Sequence, residues 1–353
     1  MHEATITSES VRKAFLTQEK GCYSLGSPFT ARLSRLHADR LQRGNAVADR
    51  ILGWQGDPSP AADSVPLRIA GCLHALVLGG WAPELSTVYP PNEVDDDALW
   101  QAVSRAHIDH TDFILERLKS APQTNEVRRS AALLPGFLTL GKLFGKPLVI
   151  SEVGASAGLN LQWDRYRYRL GDVVWGDASA GVTLEPDWTG PSPPDVEVTV
   201  QDRAGCDLNP VDATNPEHRL RMLSYIWADQ PDRLTRTRNA LDLAARPDLR
   251  VEWSDAIDWL GRHLATPFPG AIHVVYHSIA WQYFPKTLQQ EGERLIAEAG
   301  TRATPAAPFA RLAMEADGGS DASLTLQVWP SGEKQEIGRA DFHGRSVIWK
   351  GWT

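Results

Sequence analysis

The sequence has few of the features that mark secreted, metal-binding or nucleic-acid-binding proteins. Its only cysteines, Cys22, Cys72 and Cys206, have no disulfide or metal-binding spacing, as in a reduced cytoplasm. Lys and Arg number 36 against 44 for Asp and Glu, so we expect no partner among nucleic acids and no binding to membranes. The start lacks a signal-peptide layout, and the most apolar run, 69–81, is too short to span a bilayer. These absences predict a cytoplasmic protein.

The N-terminal part has the periodicity of helices. The composition, with 42% hydrophobic and 23% charged residues over 353 positions, is that of a globular protein with ample core. Helical spacing predicts helices at Ser8–Glu19, Thr30–Arg43, Leu67–Leu78 and Asp95–Lys119. Another helix is predicted to begin at Gln123–Glu126, where Thr or Asn can cap it, and to end at Phe144.

The stretch Pro147–Asn160 predicts a strand, a small-residue turn and a helix. Leu148–Val153 is an apolar, β-branched run of the length of a buried strand. Gly154, Ser156 and Gly158 then remove side-chain bulk at every second position. Such a turn presents backbone N–H groups to a ligand at the positive end of a helix.

Three functional motifs can be fitted to this turn. Dinucleotide binding wants G-x-G-x-x-G, but the last glycine would fall at Leu159. The nucleophile elbow of hydrolases, G-x-S-x-G, matches with Ser156 as nucleophile. With Glu152 included, E-x-G-x-S-x-G resembles the first motif of class I S-adenosylmethionine-dependent methyltransferases. Because no convincing strand precedes Leu148, the sequence favours the methyltransferase, whose motif strand is the first of its sheet. An ordinary tight turn stays an alternative.

Downstream acids suggest contacts with a nucleotide. A hairpin is predicted near 166–183, and an extended segment ends at Asp207, where an acid can accept hydrogen bonds from ribose hydroxyls. Far more than the ~20 residues of a simple βαβ unit separate Gly158 from Asp207, so an insertion is assumed. Asp202 is the reserve, and Asp207 can equally be a turn former before Asn-Pro. Asp255, after a brief strand, can contact adenine or simply cap a helix.

The second clear strand, Ala271–Tyr276, leads into His277, which can act as a general base near neutral pH or be a structural residue. Phe309–Met314, Ser323–Trp329 and Ser346–Trp349 are predicted to close the sheet, the last two as a hairpin across a polar segment. His107 and His110 stand one helical turn apart without a third ligand, so no metal is expected.

Several runs together resemble a bacterial family, domain of unknown function 2332. They are GSPFTARL, QTNEVRRSAALLP, SEVGASAGLNLQWDRYRY, RAGCDLNP and HSIAWQYF, and they extend over nearly the whole chain. The likeness to class I methyltransferases implies a Rossmann-like sheet with adenosylmethionine at Glu152–Asn160. The chain departs from many amino-group methyltransferases because it lacks an Asp/Asn-Pro-Pro-Tyr run after Tyr276, and Ser156 stands where glycine is usual.

We therefore expect an α/β fold with a helical N-terminal domain, 1–145, followed by a Rossmann-like domain, 146–353. The predicted function is methyl transfer from adenosylmethionine to a small-molecule substrate; the alternatives are a non-catalytic nucleotide-binding or regulatory protein and a serine hydrolase. Cofactor contacts are expected from Glu152, Gly154, Ser156, Gly158, Asn160, Asp207 and Asp255. Catalytic roles are expected for His277, Tyr283 and Glu126. Substrate contacts are expected from Asn125, Trp281 and Gln282, in a pocket to which the helical domain contributes.

Overall fold

The computed structural model describes residues 8–353, which divide into two compact units. Unit 1 contains residues 8–124 together with Asn215–Thr235, and unit 2 contains Asn125–Thr214 and Arg236–Thr353. This division differs from the expected boundary after residue 145, because the helix that precedes the motif strand belongs to the sheet-containing unit.

The helices, in chain order, are as follows. They are α1 (Ser8–Ser24), α2 (Pro28–Arg40), α3 (Ala46–Leu52), α4 (Val65–Leu78), α5 (Pro83–Ser86), α6 (Asp96–Asp109), α7 (Thr111–Arg117), α8 (Arg129–Phe144), α9 (Pro216–Ser224), α10 (Pro231–Ala244), α11 (Ala256–His263) and α12 (Lys286–Thr301). Short 3₁₀ helices lie at Asn160–Arg165 and Trp281–Tyr283.

The strands of unit 2 form two sheets. They are β1 (Leu148–Val153), β2 (Arg167–Leu170), β3 (Val173–Trp175), β4 (Thr183–Leu184), β5 (Asp187–Thr189), β6 (Val200–Asp207), β7 (Val251–Trp253), β8 (Ile272–Ser278), β9 (Phe309–Ala316), β10 (Ala322–Trp329), β11 (Lys334–Ala340) and β12 (Ser346–Trp349). The large sheet has the order β5-β12-β11-β10-β9-β8-β1-β6-β7, and the small one has the order β3-β2-β4.

The large sheet contains five parallel strands in a Rossmann-type order, β9-β8-β1-β6-β7. β1 lies at the centre of these five. β1 and β8 are buried along their whole length, which explains why both are rich in apolar residues, although β1 contains Ser151 and Glu152 and β8 contains two histidines. This confirms the α/β fold class. The predicted bounds of β1 are those of the structure, and β8 extends two residues beyond the prediction, to Ser278.

Two helix predictions were wrong in detail. The predicted helix Asp95–Lys119 is interrupted at His110, which ends α6 and precedes α7. The hydroxyl of Thr111 donates to the carbonyl of His107 at this break. The helix predicted to begin at Gln123–Glu126 begins at Arg129, without a side-chain cap at its start.

The end of the sheet also differs from the prediction. The polar segment expected to join the last two strands contains β11, which pairs antiparallel with both β10 and β12. Ile337, Gly338 and Ala340 are buried, whereas Lys334 and Glu336 are exposed. β11 was missed in the sequence because one face of this strand is charged. Antiparallel strands with one solvated face alternate in polarity.

Two buried histidines lie in the core of unit 1. His37 stacks on Phe15 with ring centroids 5.2 Å apart, and its centroid is 5.4 Å from that of His107. Nδ1 of His37 lies 2.8 Å from the carbonyl oxygen of Leu33 and donates to it. Within the described chain, Nε2 of each histidine is buried without a hydrogen-bond partner. Both rings are therefore neutral core residues.

Acid should destabilise unit 1. Burial lowers the pKa of His37 to about 4 and that of His107 to about 3, below the ordinary value of 6.5. The unfolded chain takes up protons that the folded unit excludes, so the free energy of unfolding should fall by up to ~1.4 kcal/mol per pH unit for each histidine as the pH drops from about 6.5 toward 4. Urea unfolding at pH 7, 6 and 5 measures this slope. If His37→Phe has the same slope as the wild-type protein, His37 does not contribute to the acid sensitivity of unit 1.

Candidate functional site

The candidate site lies at the carboxyl ends of β1 and β6. The two strands pair in parallel, with Val153 beside Cys206, so the residues that follow them emerge side by side. On its other side β1 pairs with β8. The chain order of the strands reverses between β1 and β8, and open α/β sheets bind ligands in the crevice at such a reversal.

The loop after β1 has a backbone conformation that demands small residues. The φ angles are +73° at Gly154, +54° at Ser156 and +70° at Gly158. The N–H groups of Gly154 and Ala155 both donate to the carbonyl of Cys206, at 3.0 Å each, which ties the loop to β6. Because residues other than glycine rarely adopt positive φ, Ser156 is held in an unusual conformation by its surroundings.

Asp207, the last residue of β6, holds the loop from the neighbouring strand. Its Oδ2 accepts from the N–H of Ser156 at 2.9 Å, and its Oδ1 accepts from the N–H of Asn209 at 2.8 Å. A carboxylate oxygen can accept more than one hydrogen bond, so Asp207 can also receive hydroxyl donors from a ligand. Asp207 thus forms the turn that the sequence predicted before Asn209, and it also contacts the loop after β1.

Glu152 is a buried acid next to the last residue of β1. It is 1% exposed, and the hydroxyl of Tyr276 lies 3.4 Å from its Oε2. Burial raises the pKa of Glu152 well above its usual value, against the opposing effects of the Tyr276 hydrogen bond and the positive charge of Arg129. A cationic group brought next to this buried carboxyl would favour its ionised form.

Asn160 and Asn125 lie at the far end of the loop. Oδ1 of Asn160 accepts from the hydroxyl of Ser130 at 2.7 Å, while its Nδ2 is buried without a partner among residues 8–353. Oδ1 of Asn125 accepts from the N–H of Leu159 at 2.9 Å. Asn125 therefore supports the loop directly. It does not cap its own helix, although the sequence had suggested such a cap.

Exposed apolar side chains beside Asp207 were missed in the sequence. Leu208 is 59% exposed and Trp253 is 81% exposed. Asp207 pairs with Trp253 across β6 and β7, so the three residues share one corner of the sheet edge. Trp253 lies beside Asp207 through the pairing of β6 with the three-residue strand β7, and no sequence motif marks this tryptophan.

The geometry of His277 is at odds with the predicted general-base role. The ring is 1% exposed and stacks on Trp281, with centroids 4.9 Å apart. Nδ1 lies 2.7 Å from Oε1 of Glu315, and Nε2 lies 3.0 Å from Nη2 of Arg311. Burial, reinforced by the charge of Arg311, lowers the pKa of His277. Since Arg311 can only donate, Nε2 is the acceptor and Nδ1–H donates to Glu315. Both nitrogens are engaged.

The other predicted residues are dispersed around this centre. Trp281 is 6% exposed and packs in a core with Val153 and Val275, so it does not line an open pocket. Oε1 of Gln282 accepts from the N–H of Ala316. Tyr283 is 73% exposed.

Glu126 and Asp255 serve local backbone structure. Glu126 is 4% exposed, and its Oε1 accepts from the N–H of Arg128. Asp255 caps α11, accepting from the N–H groups of Ile257 and Asp258. Capping is the simpler of the two roles expected for Asp255, and its proposed contact with adenine stays a prediction.

Residues 8–353 contain no group of three or more His, Cys, Asp or Glu side chains arranged to hold a metal ion. Among the same residues, no helix combines the length and apolar character needed to cross a membrane.

The order of the strands defines the fold class: this is an α/β protein with a Rossmann-type sheet. The chain belongs to the family of domain of unknown function 2332, described as "Uncharacterized protein conserved in bacteria", whose model matches residues 12–349. This confirms the resemblance seen in the sequence.

A solved structure and the curated proteins add little to this assignment. The chain is similar to "an O-methyltransferase family protein from Burkholderia thailandensis", with 13% identity, a TM-score of 0.26, and coverage of 88% of this chain and 76% of that one. A TM-score this low supports no conclusion about function. No curated protein matches the chain.

Proposed function

We propose that this protein is an S-adenosylmethionine-dependent methyltransferase acting on a small molecule. The observation that carries the proposal is the arrangement of Glu152 and Asp207, two acids at the ends of neighbouring parallel strands, on either side of the Gly154–Gly158 loop. In Rossmann-type sheets, the acid after the second strand binds ribose hydroxyls and the loop after the first strand approaches the ligand through its backbone.

Each part of the cofactor has a matching group in the site. The ribose hydroxyls can donate to Asp207, which has acceptor capacity beyond its two backbone partners. Leu208 and Trp253 offer exposed apolar surface beside that acid for an adenine ring. The ammonium group of the methionine portion suits Glu152, because a cation favours ionisation of a buried acid.

Bound adenosylmethionine would supply an activated methyl group. The contribution of this chain would be alignment of the acceptor and exclusion of water, which can lower a barrier by several kcal/mol without a protein base. The hydrogen bonds of His277 fit this division, because Nδ1–H donates to Glu315 and Nε2 accepts from Arg311, so both nitrogens already have partners within the protein. We therefore give His277 no catalytic role and retain Tyr283, which is exposed, as a candidate for contact with the acceptor.

A second candidate function is cofactor binding without turnover. The specific observation in its favour is again His277, because the one histidine at the end of β8 is locked between Glu315 and Arg311. Production of adenosylhomocysteine from adenosylmethionine in the presence of candidate acceptors would favour the enzyme. Tight binding with no product over a broad acceptor panel would favour the binding protein.

Calorimetric titration with adenosylmethionine and adenosylhomocysteine tests the proposal. We expect saturable binding of both, with adenosine alone binding more weakly because it lacks the ammonium group for Glu152. Mass spectrometry of the heated, clarified protein provides a second readout through any co-purified nucleotide. Absence of binding by the wild-type protein would overturn the methyltransferase proposal.

Ser156 distinguishes the methyltransferase from a serine hydrolase. Ser156→Gly suits the φ of +54° and restores the residue usual in the cofactor loop. We expect the variant to fold with a free energy of unfolding within about 1 kcal/mol of wild type and to bind adenosylhomocysteine equally well. Labelling of the wild-type protein by a fluorophosphonate probe, lost in Ser156→Gly, would instead identify a nucleophilic serine.

A further inference from the structure

The carboxylate of Glu315, at the end of β9, binds the segment that follows β8. Its Oε1 accepts from Nδ1–H of His277 at 2.7 Å and from the N–H groups of Ala280 and Trp281, each at 3.0 Å. Its Oε2 accepts from the N–H of Gln282 at 3.3 Å. One side chain thus holds three consecutive backbone donors and orients the neighbouring imidazole.

The segment needs this support because its backbone is strained. Ile279 has a φ of +50°, which is an outlier for a β-branched residue and costs on the order of 1–3 kcal/mol. The N–H of Ile279 donates to the carbonyl of Met314 at 2.8 Å. Residues of β9 therefore hold the turn at both its start and its centre.

The hydrogen bonds of Glu315 favour its ionised form. Burial raises the pKa of Glu315, but the hydrogen bonds from His277, Ala280 and Trp281 outweigh burial and keep the pKa below its usual value. On the other side of the ring, Nε2 of His277 accepts from Arg311, which also pairs with Glu293 at 2.6 Å. An ionised acceptor makes hydrogen bonds that are about twice as strong as neutral ones.

The segment held by Glu315 borders the candidate cofactor loop. A Cβ atom added at Gly154 would lie 2.7 Å from the Cβ of Ala280, so the side chain of Ala280 packs closely against the backbone of Gly154. We propose that Glu315 is a positioning residue of the cofactor site, which seats residues 280–282 so that Ala280 fixes the Gly154 end of the loop. This inference rests on the proposed function, because it concerns the same site.

Hydrogen–deuterium exchange and calorimetry on the full chain test the proposal. Glu315→Ala should accelerate exchange at the amides of residues 280–282 at least ~10-fold and weaken adenosylhomocysteine binding at least ~10-fold. Glu315→Gln keeps Oε1 as an acceptor, so it should accelerate exchange only at Gln282 and largely restore binding. Glu293→Gln is the matched control: it alters the pairing of Arg311 but removes no acceptor from these amides, and should leave both readouts unchanged.

The outcomes separate this proposal from the function on which it rests. Faster exchange at residues 280–282 in Glu315→Ala, with wild-type affinity for adenosylhomocysteine, would overturn the positioning role alone. If Glu315→Ala does not fold, Glu315→Asp replaces it, because its shorter side chain cannot reach all the donors; the same two outcomes then decide. No binding by the wild-type protein would overturn the proposed function and the positioning role with it, whatever the exchange pattern.

Discussion

Asp207→Ala should weaken the binding of adenosylhomocysteine by roughly 1–3 kcal/mol, about 5- to 150-fold in Kd. The substitution removes the proposed acceptor for the ribose hydroxyls, which also accepts from the N–H groups of Ser156 and Asn209. Titration calorimetry below the melting temperature of the variant measures the loss.

Asp202→Ala is the control for this prediction. Asp202 lies on the same strand, is exposed, and accepts from the N–H of Arg203. At ~3.3 Å per residue it is about 16 Å from the carboxyl end of β6, so its removal should leave the affinity unchanged. Equal affinities of wild type and Asp207→Ala, or a loss confined to Asp202→Ala, would exclude Asp207 as the ribose-binding acid.

Gly154→Ala should have the second large effect, on both stability and binding. The new methyl group would lie 2.7 Å from the Cβ of Ala280, and the φ of +73° disfavours any side chain. Either the loop or residues 280–282 must move, so we expect a loss of about 1–3 kcal/mol in the free energy of unfolding and at least ~10-fold weaker binding of adenosylhomocysteine.

Gly145→Ala separates the backbone cost from the steric clash. Gly145 has a φ of +59°, and a Cβ added there has no neighbour within 4 Å. It should lose only the ~1–2 kcal/mol of a left-handed conformation and bind the ligand normally. If the two variants bind equally well, the contact between Gly154 and Ala280 does not matter for the site.

The sequence predicted the centre of the sheet well, for a physical reason. β1 and β8 are buried on both faces, so apolar residues point to both faces of each strand, and local sequence patterns reveal such strands. Local sequence patterns also identified the small residues of the Gly154–Gly158 loop and the acid at Asp207. The structure brings these residues to one edge; their roles in ligand binding stay predictions.

What the sequence could not reveal depends on contacts between distant residues. Asn125 accepts from Leu159, 34 positions away, although its sequence context suggested a helix cap. Glu315 has no motif around it, and its partners are 33 to 38 positions earlier in the chain. The hydrogen bonds of His277 with Glu315 and Arg311 fit the structural role that the sequence left open beside that of a general base.

Both edges of the nine-stranded sheet are formed by short strands, which disfavours aggregation through pairing of edge strands. β7 and β5 contain three residues each, so each edge offers few unpaired backbone groups as a template for another strand. Beyond β5, Pro191, Pro193 and Pro194 have no N–H to donate, which stops the ladder from being extended there. The molecule can thus carry a wide, strongly apolar sheet without an edge suited to fibrous aggregation.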